Sequence, residues 1–110
     1  MTAHPAARLD ELATVYLAAS EVIRLRILGL LAHGEQCVCH IHGLLEAPQP
    51  TVSRHLAVLR RAGLVNARRD GSWVHYSLTD LAESSLGEAL AKARADRALA
   101  RRCRALRKCS

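Results

Sequence analysis

Two cysteines one residue apart, Cys37-Val38-Cys39, stand ahead of a run, Gln49-Pro50-Thr51-Val52-Ser53-Arg54-His55-Leu56, that reads as the start of a DNA-reading helix. Thiolates are soft ligands that select sulfur-seeking ions, and As(III) or Sb(III) favours a pyramid of three sulfurs. The pair supplies two. Cys103 and Cys109 are the sulfur candidates for the third position, and His42, one helical turn after Cys39, is the nitrogen candidate. Imidazole from His40 or His42 beside two thiolates suits cadmium, lead or zinc better than arsenic. A Cys-x-Cys pair can also close a tight disulfide or take up reactive sulfur, with nearby arginines favouring the thiolate. On a regular helix i and i+2 point to nearly opposite sides, so both sulfurs reach one ion only where the backbone leaves helical geometry. Ion capture is then expected to distort the start of the helix that the pair begins and to displace the DNA-reading helix behind it.

The second set of chemistry-bearing residues faces nucleic acid. A recognition helix contacts base edges mainly through its N-terminal residues, which here are Gln49, Thr51, Ser53 and Arg54. Glutamine can pair bidentately with adenine and arginine with guanine, while Thr and Ser serve bases, phosphates or the helix end itself. Arg68 and Arg69 precede an Asp70-Gly71 turn, where they can enter the minor groove or hold phosphate. Arg60, Arg61 and the tail arginines add attraction that weakens as salt rises.

The elements that must position these groups follow from periodicity. Leu9, Leu12, Ala13, Tyr16 and Leu17 make one apolar face on a first helix. Ser20 can cap a second, almost wholly apolar helix from Val22 to Leu31, stopped by His33-Gly34. A short helix over about Val38 to Glu46, a turn at Ala47-Pro48-Gln49, and Pro50 at a first helical position give helix-turn-helix spacing. In the second motif helix Val52, Leu56 and Leu59 lie at i, i+4 and i+7 and face inward. Asp70-Gly71 between two β-prone runs is a hairpin signal, since both central turn positions need positive φ. Thr79 or Asp80 can cap a last helix whose Ala82, Leu86, Ala89, Leu90 and Ala93 form a small-residue stripe. That stripe and the first helix's apolar face are expected to meet their copies across a two-fold axis.

These elements predict a single domain over 1–110: mainly α with a β-hairpin wing, five helices, a homodimer through the first and last helices, and a basic tail over 101–110 that frays. The 110 residues include no Phe, one Trp and two Tyr, so the core is aliphatic helix packing. The formal charge is +6, nearly all from arginine, whose planar fork suits phosphate and base edges. No apolar run approaches the roughly 20 residues a membrane span needs, and the N-terminus does not read as a secretory signal. A bacterial cytoplasm is the expected compartment, where four cysteines are thiols rather than structural disulfides.

The run Gln49-Pro50-Thr51-Val52-Ser53-Arg54-His55-Leu56-Ala57-Val58-Leu59-Arg60-Arg61-Ala62-Gly63-Leu64-Val65, followed by Arg68-Arg69-Asp70-Gly71 and Tyr76-Ser77-Leu78, resembles the winged helix-turn-helix of the ArsR/SmtB metalloregulatory repressors. Glu35-Gln36-Cys37-Val38-Cys39 is similar to the thiolate box of the arsenic- and antimony-responsive members. The resemblance implies a homodimeric repressor that covers double-stranded operator DNA and leaves it when As(III) or Sb(III) binds, with Cys37 and Cys39 as ligands. Two departures bear on the ion. The third cysteine common in that box is His42 here, and the acidic residue often following the second cysteine is His40. The family's interfacial zinc pattern of Asp-x-His and His-x-x-Glu is not met between Leu78 and Ala100.

An enzyme is the alternative of a different class, a small thiol-dependent reductase. The chain lacks a Cys-x-x-Cys pair and an anion loop in a βαβ setting, and no catalytic residue or catalytic cofactor is expected.

Overall fold

The computed structural model describes residues 5–105. In chain order it runs α1 (Pro5–Ala19), α2 (Val22–Leu31), β1 (Gln36–Cys37), α3 (Val38–Leu45), α4 (Gln49–Arg61), β2 (Val65–Asp70), β3 (Trp73–Leu78), α5 (Asp80–Ser85), α6 (Gly87–Arg94) and α7 (Arg97–Ala105). The winged helix-turn-helix is α3 and α4 followed by the β2–β3 hairpin.

Seven helices stand among the described residues where periodicity predicts five. The segment after the hairpin is the source of the difference, because it breaks twice. Leu86 sits at φ −122°, ψ 25°, which interrupts the helix just before Gly87. Asp96 then accepts the Leu99 N–H at 3.0 Å on its side chain, a cap that starts a new helix in what composition marks as a basic tail. Thr79 caps α5 as expected, accepting the Ala82 N–H at 3.1 Å, and its own hydroxyl donates to the Gly63 carbonyl at 2.6 Å. Ser20 does not cap α2: its hydroxyl turns back to the Leu17 carbonyl at 2.7 Å, and the cap position falls to Glu21 without a side-chain bond.

The core lies where α2, α3 and α4 meet. Ile27, Leu28, Ile41, Val52, Leu56, Leu59 and Leu64 are fully buried, so the inward stripe of α4 is the one its i, i+4, i+7 spacing predicts. From the small-residue stripe, Ala82, Leu86 and Leu90 are buried within the protomer, while Ala89 stays at the surface. A Cβ placed on Gly29 would meet that of Ala93 at 3.5 Å, so the small residues let α6 lie close on α2. On α1, by contrast, Val15, Ala18 and Ala19 are buried while Leu9, Leu12, Tyr16 and Leu17 face outward.

Between α3 and α4 the chain reverses at Glu46, which holds a left-handed φ of 54°. Pro48 takes the cap position of α4 and Pro50 the second helical position rather than the first, still within the turn whose N–H groups lack intrahelical partners. The wing pairs β2 with β3 in antiparallel register from Val65 opposite Leu78 to Asp70 opposite Trp73, and Gly71 supplies φ 64° at the turn. Sequence periodicity shows no third strand, yet β1 joins the free edge of β3, with Gln36 opposite Tyr76 and Cys37 opposite His75. The sheet order is β1-β3-β2.

Candidate sensor site and nucleic-acid interface

Cys37 is at once the last residue of β1 and the cap of α3. Its backbone is extended (φ −74°, ψ 147°), and its sulfur accepts the Cys39 N–H at 3.3 Å. The pair therefore straddles a strand-to-helix boundary instead of lying on one regular helix. The expected conflict between i, i+2 spacing and helical geometry does not arise in that form, because Cys37 lies outside the helix that Cys39 belongs to. Cys37 is buried and Cys39 half-buried, and both are disulfide-bonded in this structure.

The candidates for a third ligand are distributed as follows. His42 is half-buried in the last turn of α3. His40 is buried, and its Nε2 has no hydrogen-bond partner among the described residues. Cys103 is a buried free thiol on α7. That helix folds back on the motif, with the Arg102 guanidinium donating to the Leu44 carbonyl at 3.1 Å. Cys103 and Gln36, the residue before Cys37, line the same cavity of about 350 Å³ together with His33, Glu35 and Arg104. Burial pushes the Cys103 thiol pKa up, against the opposing pull of the neighbouring Arg102 charge. Among the described residues no three His, Cys, Asp or Glu side chains gather into a group able to hold a metal ion, so neither His42 nor Cys103 completes a three-donor set with the pair. Cys109 lies outside the described residues.

The nucleic-acid candidates divide by exposure. Gln49 and Arg54 are exposed at the start of α4, and Thr51 and Ser53 are half-buried beside them. Arg69 is exposed on β2. Arg68 is already engaged: its fork grips Glu35, Nε to Oε2 at 3.1 Å and Nη2 to Oε1 at 2.7 Å. Hydrogen bonding from Arg68 lowers the Glu35 pKa and in turn raises that of Arg68. Sequence reading missed this pair, because no local pattern links residues 35 and 68, which meet only through the sheet. His55 on α4 also has a structural partner, Arg24, whose guanidinium lies 3.2 Å from Nδ1 and donates to the Ala18 carbonyl at 2.6 Å.

Residues 21–67 match the family described as bacterial regulatory protein, arsR family. An uncharacterised HTH-type transcriptional regulator of Methanocaldococcus jannaschii is 43% identical over 74 residues, covering 66% of this chain and 83% of that one. The arsenic resistance transcriptional regulator ArsR1 of Pseudomonas putida is 42% identical over 69% of this chain and 62% of its own length. A cadmium resistance transcriptional regulatory protein, the CadC homolog of Staphylococcus aureus, is 37% identical over 64% and 54%. The chain thus spans less than two thirds of these two resistance regulators. Among solved structures, a homodimeric winged helix-turn-helix DNA-binding domain from Mycobacterium bovis superposes with a TM-score of 0.71 at 35% identity, covering 86% of this chain and 90% of that one. Reduced HlyU from Vibrio cholerae superposes with a TM-score of 0.66 at 33% identity, over 73% and 86%.

Proposed function

Because the chain belongs to the arsR family of bacterial regulatory proteins, whose fold is that of DNA-binding transcriptional regulators rather than enzymes, we propose that it is a homodimeric repressor released from operator DNA when As(III) or Sb(III) is captured by Cys37 and Cys39. The observation that carries the proposal is the position of the pair: Cys37 caps the first motif helix and belongs to the sheet that bears the wing. A ligand on these sulfurs acts at once on α3, which leads through one turn into α4, and on β3. Two thiolates, formed once the cysteines are reduced, suit a thiophilic ion. The third donor is proposed to come from the α7 side, where Cys103 and Gln36 share a cavity wall, or from Cys109. Resemblance to an arsenic resistance regulator supports this choice of ion. Gln49, Thr51, Ser53 and Arg54 enter the major groove in this reading, with Arg69 on the wing as a further contact.

A second reading, that the cysteines form a redox switch, is favoured by one observation: both box cysteines are disulfide-bonded here. One experiment separates the two. Operator DNA is identified by footprinting the region upstream of the chain's own gene, and binding is followed by anisotropy with fully reduced protein. Arsenite should release the wild type at least tenfold more readily than Cys37→Ser or Cys39→Ser. DNA that stays bound at saturating arsenite, but leaves on mild oxidation and returns with reductant, would replace the ion by redox chemistry.

A further inference from the structure

Beside Ser53, the last but one of the base-reading residues, the inner side of the wing carries Arg60, Arg61 and Tyr76, which neither the sensor nor base reading absorbs. A groove of about 410 Å³ runs between α4 and β3, lined by Ser53, Ala57, Arg60, Arg61 and Tyr76. It is more than ten times the roughly 30 Å³ share of a single water molecule, so it has room for a sugar–phosphate unit. Its floor is the small side chain of Ala57, one turn after Ser53 and one turn before Arg60 and Arg61, which puts the hydroxyl and the guanidinium groups along one side. Tyr76 closes the other side from the central strand of the sheet, between Gln36 on β1 and Ala67 on β2.

The groups that line this groove share a second property. Arg24, Arg68, Arg94 and Arg102 each donate to a carbonyl or carboxylate of their own chain. The side chains of Arg60 and Arg61, like those of Arg54, Arg69 and Arg97, and the hydroxyls of Ser53 and Tyr76 donate to nothing among the described residues. Two guanidinium groups and two hydroxyls converging on a groove without a carboxylate in its lining form a donor-rich, cationic seat. A phosphodiester offers what that seat lacks, a single charge with two unesterified oxygens that accept several hydrogen bonds.

We propose that this groove seats a backbone phosphate of duplex DNA, and that Tyr76 is a DNA contact from the wing's central strand. The inference rests on the reading of the chain as a DNA-binding repressor and adds to it a contact that positions the duplex without reading its sequence. Phosphate held here fixes how deeply α4 enters the major groove, because the seat lies behind its base-reading N-terminus and is shared with the wing.

The test uses full-length reduced protein and a labelled 30-base-pair duplex of arbitrary sequence, with affinity measured by anisotropy across a range of salt concentrations. Arg60→Gln and Arg61→Gln are each expected to weaken binding and to flatten the plot of log affinity against log salt by about one unit. Tyr76→Phe should weaken binding roughly tenfold with the slope unchanged, as expected for loss of a neutral donor to a charged acceptor. Arg97→Gln, on α7, is the control for net charge and should leave the slope within half a unit of wild type. Circular dichroism establishes that each variant is folded. If Arg60→Gln and Arg61→Gln shift the slope no more than Arg97→Gln, or Tyr76→Phe binds as wild type does, the seat is wrong while DNA binding stands. A wild type that binds no duplex at any salt concentration removes the repressor reading itself, and the seat with it.

Discussion

At the scale of single residues, burial rather than sequence neighbourhood decides what each cysteine is. Cys103 lies in an arginine-rich segment, which on sequence alone favours a reactive, low-pKa thiol. The fold puts its side chain in the core instead, and desolvation, larger than the pull of Arg102, raises its pKa. A raised thiol pKa means that the native state keeps its proton where the unfolded chain has lost it. Stability linked to Cys103 is therefore fully present below the ordinary thiol range and falls as pH rises through that range toward the raised value. Native protein at neutral pH should carry iodoacetamide on Cys103 about tenfold more slowly than the same chain in urea. Urea midpoints from pH 7 to 10 should decline less steeply for Cys103→Ala, at a cost of about 1 kcal/mol near neutrality for the small cavity. Rapid native alkylation, or alkaline slopes that coincide, would place the thiol outside the core. The Glu35–Arg68 pair lies at the opposite extreme, with both side chains more than a third exposed at 38% and 55%. A pair so well solvated is largely screened by water, which makes it an orienting contact for the wing rather than a source of stability.

Among the elements, β1 adds a route from the cysteine pair to the wing in the proposed mechanism. The hairpin was legible because Asp70-Gly71 sits between two β-prone runs, and α4 because its apolar positions repeat at helical spacing and a proline marks its first turn. Two residues have no periodicity, so nothing in Gln36-Cys37 reveals a strand, and its pairing with β3 depends on a hairpin nearly 40 residues away in the chain. The same limit hid Glu35 and Tyr76. It also explains the helix count, since the break at Leu86 is a backbone event inside a continuous amphipathic pattern. The candidate sensor cysteines and candidate DNA-reading residues stand out in the sequence by type, but the sheet that joins their elements does not. With Cys37 opposite His75, and His75 opposite Arg68 on the far strand, a change at the sulfur is one hydrogen-bonded row from the wing. Trp73, the only tryptophan, begins β3 at the wing tip and reports on that strand. Its emission should shift when reduced protein takes up arsenite, with no DNA present, and should stay fixed in Cys37→Ser. Unchanged Trp73 emission in the wild type, alongside arsenite-dependent DNA release, would confine the signal to α3 and α4.

For the whole molecule, the question is what covers the outer face of α1. Of seven exposed large hydrophobic residues among the described ones, four lie on α1 and two, Val22 and Leu25, at the start of α2, with Leu9 and Leu17 exposed by 66% and 72%. An exposed, largely apolar face of this kind on a chain of 110 residues is suited to self-association about a two-fold axis, where each substitution counts twice. The small-residue stripe after the hairpin contributes less to that surface than its sequence suggests, because Ala82, Leu86 and Leu90 are buried within the same protomer. Leu17 should then carry more of the association than Ala89. Burying one leucine is worth about 1.5–3 kcal/mol, or about 3–6 kcal/mol per dimer, equal to roughly a hundredfold to ten-thousandfold in the dimer constant. Sedimentation of Leu17→Glu at micromolar concentration should therefore show monomer where the wild type is dimer, with circular dichroism unchanged because the residue lies outside the core. DNA binding should fall in the same variant, since two recognition helices reach half-sites one helical turn apart only when the protomers are joined. A dimer that survives Leu17→Glu and dissociates with Ala89→Glu would move the two-fold axis to α6 and leave the α1 face for another partner.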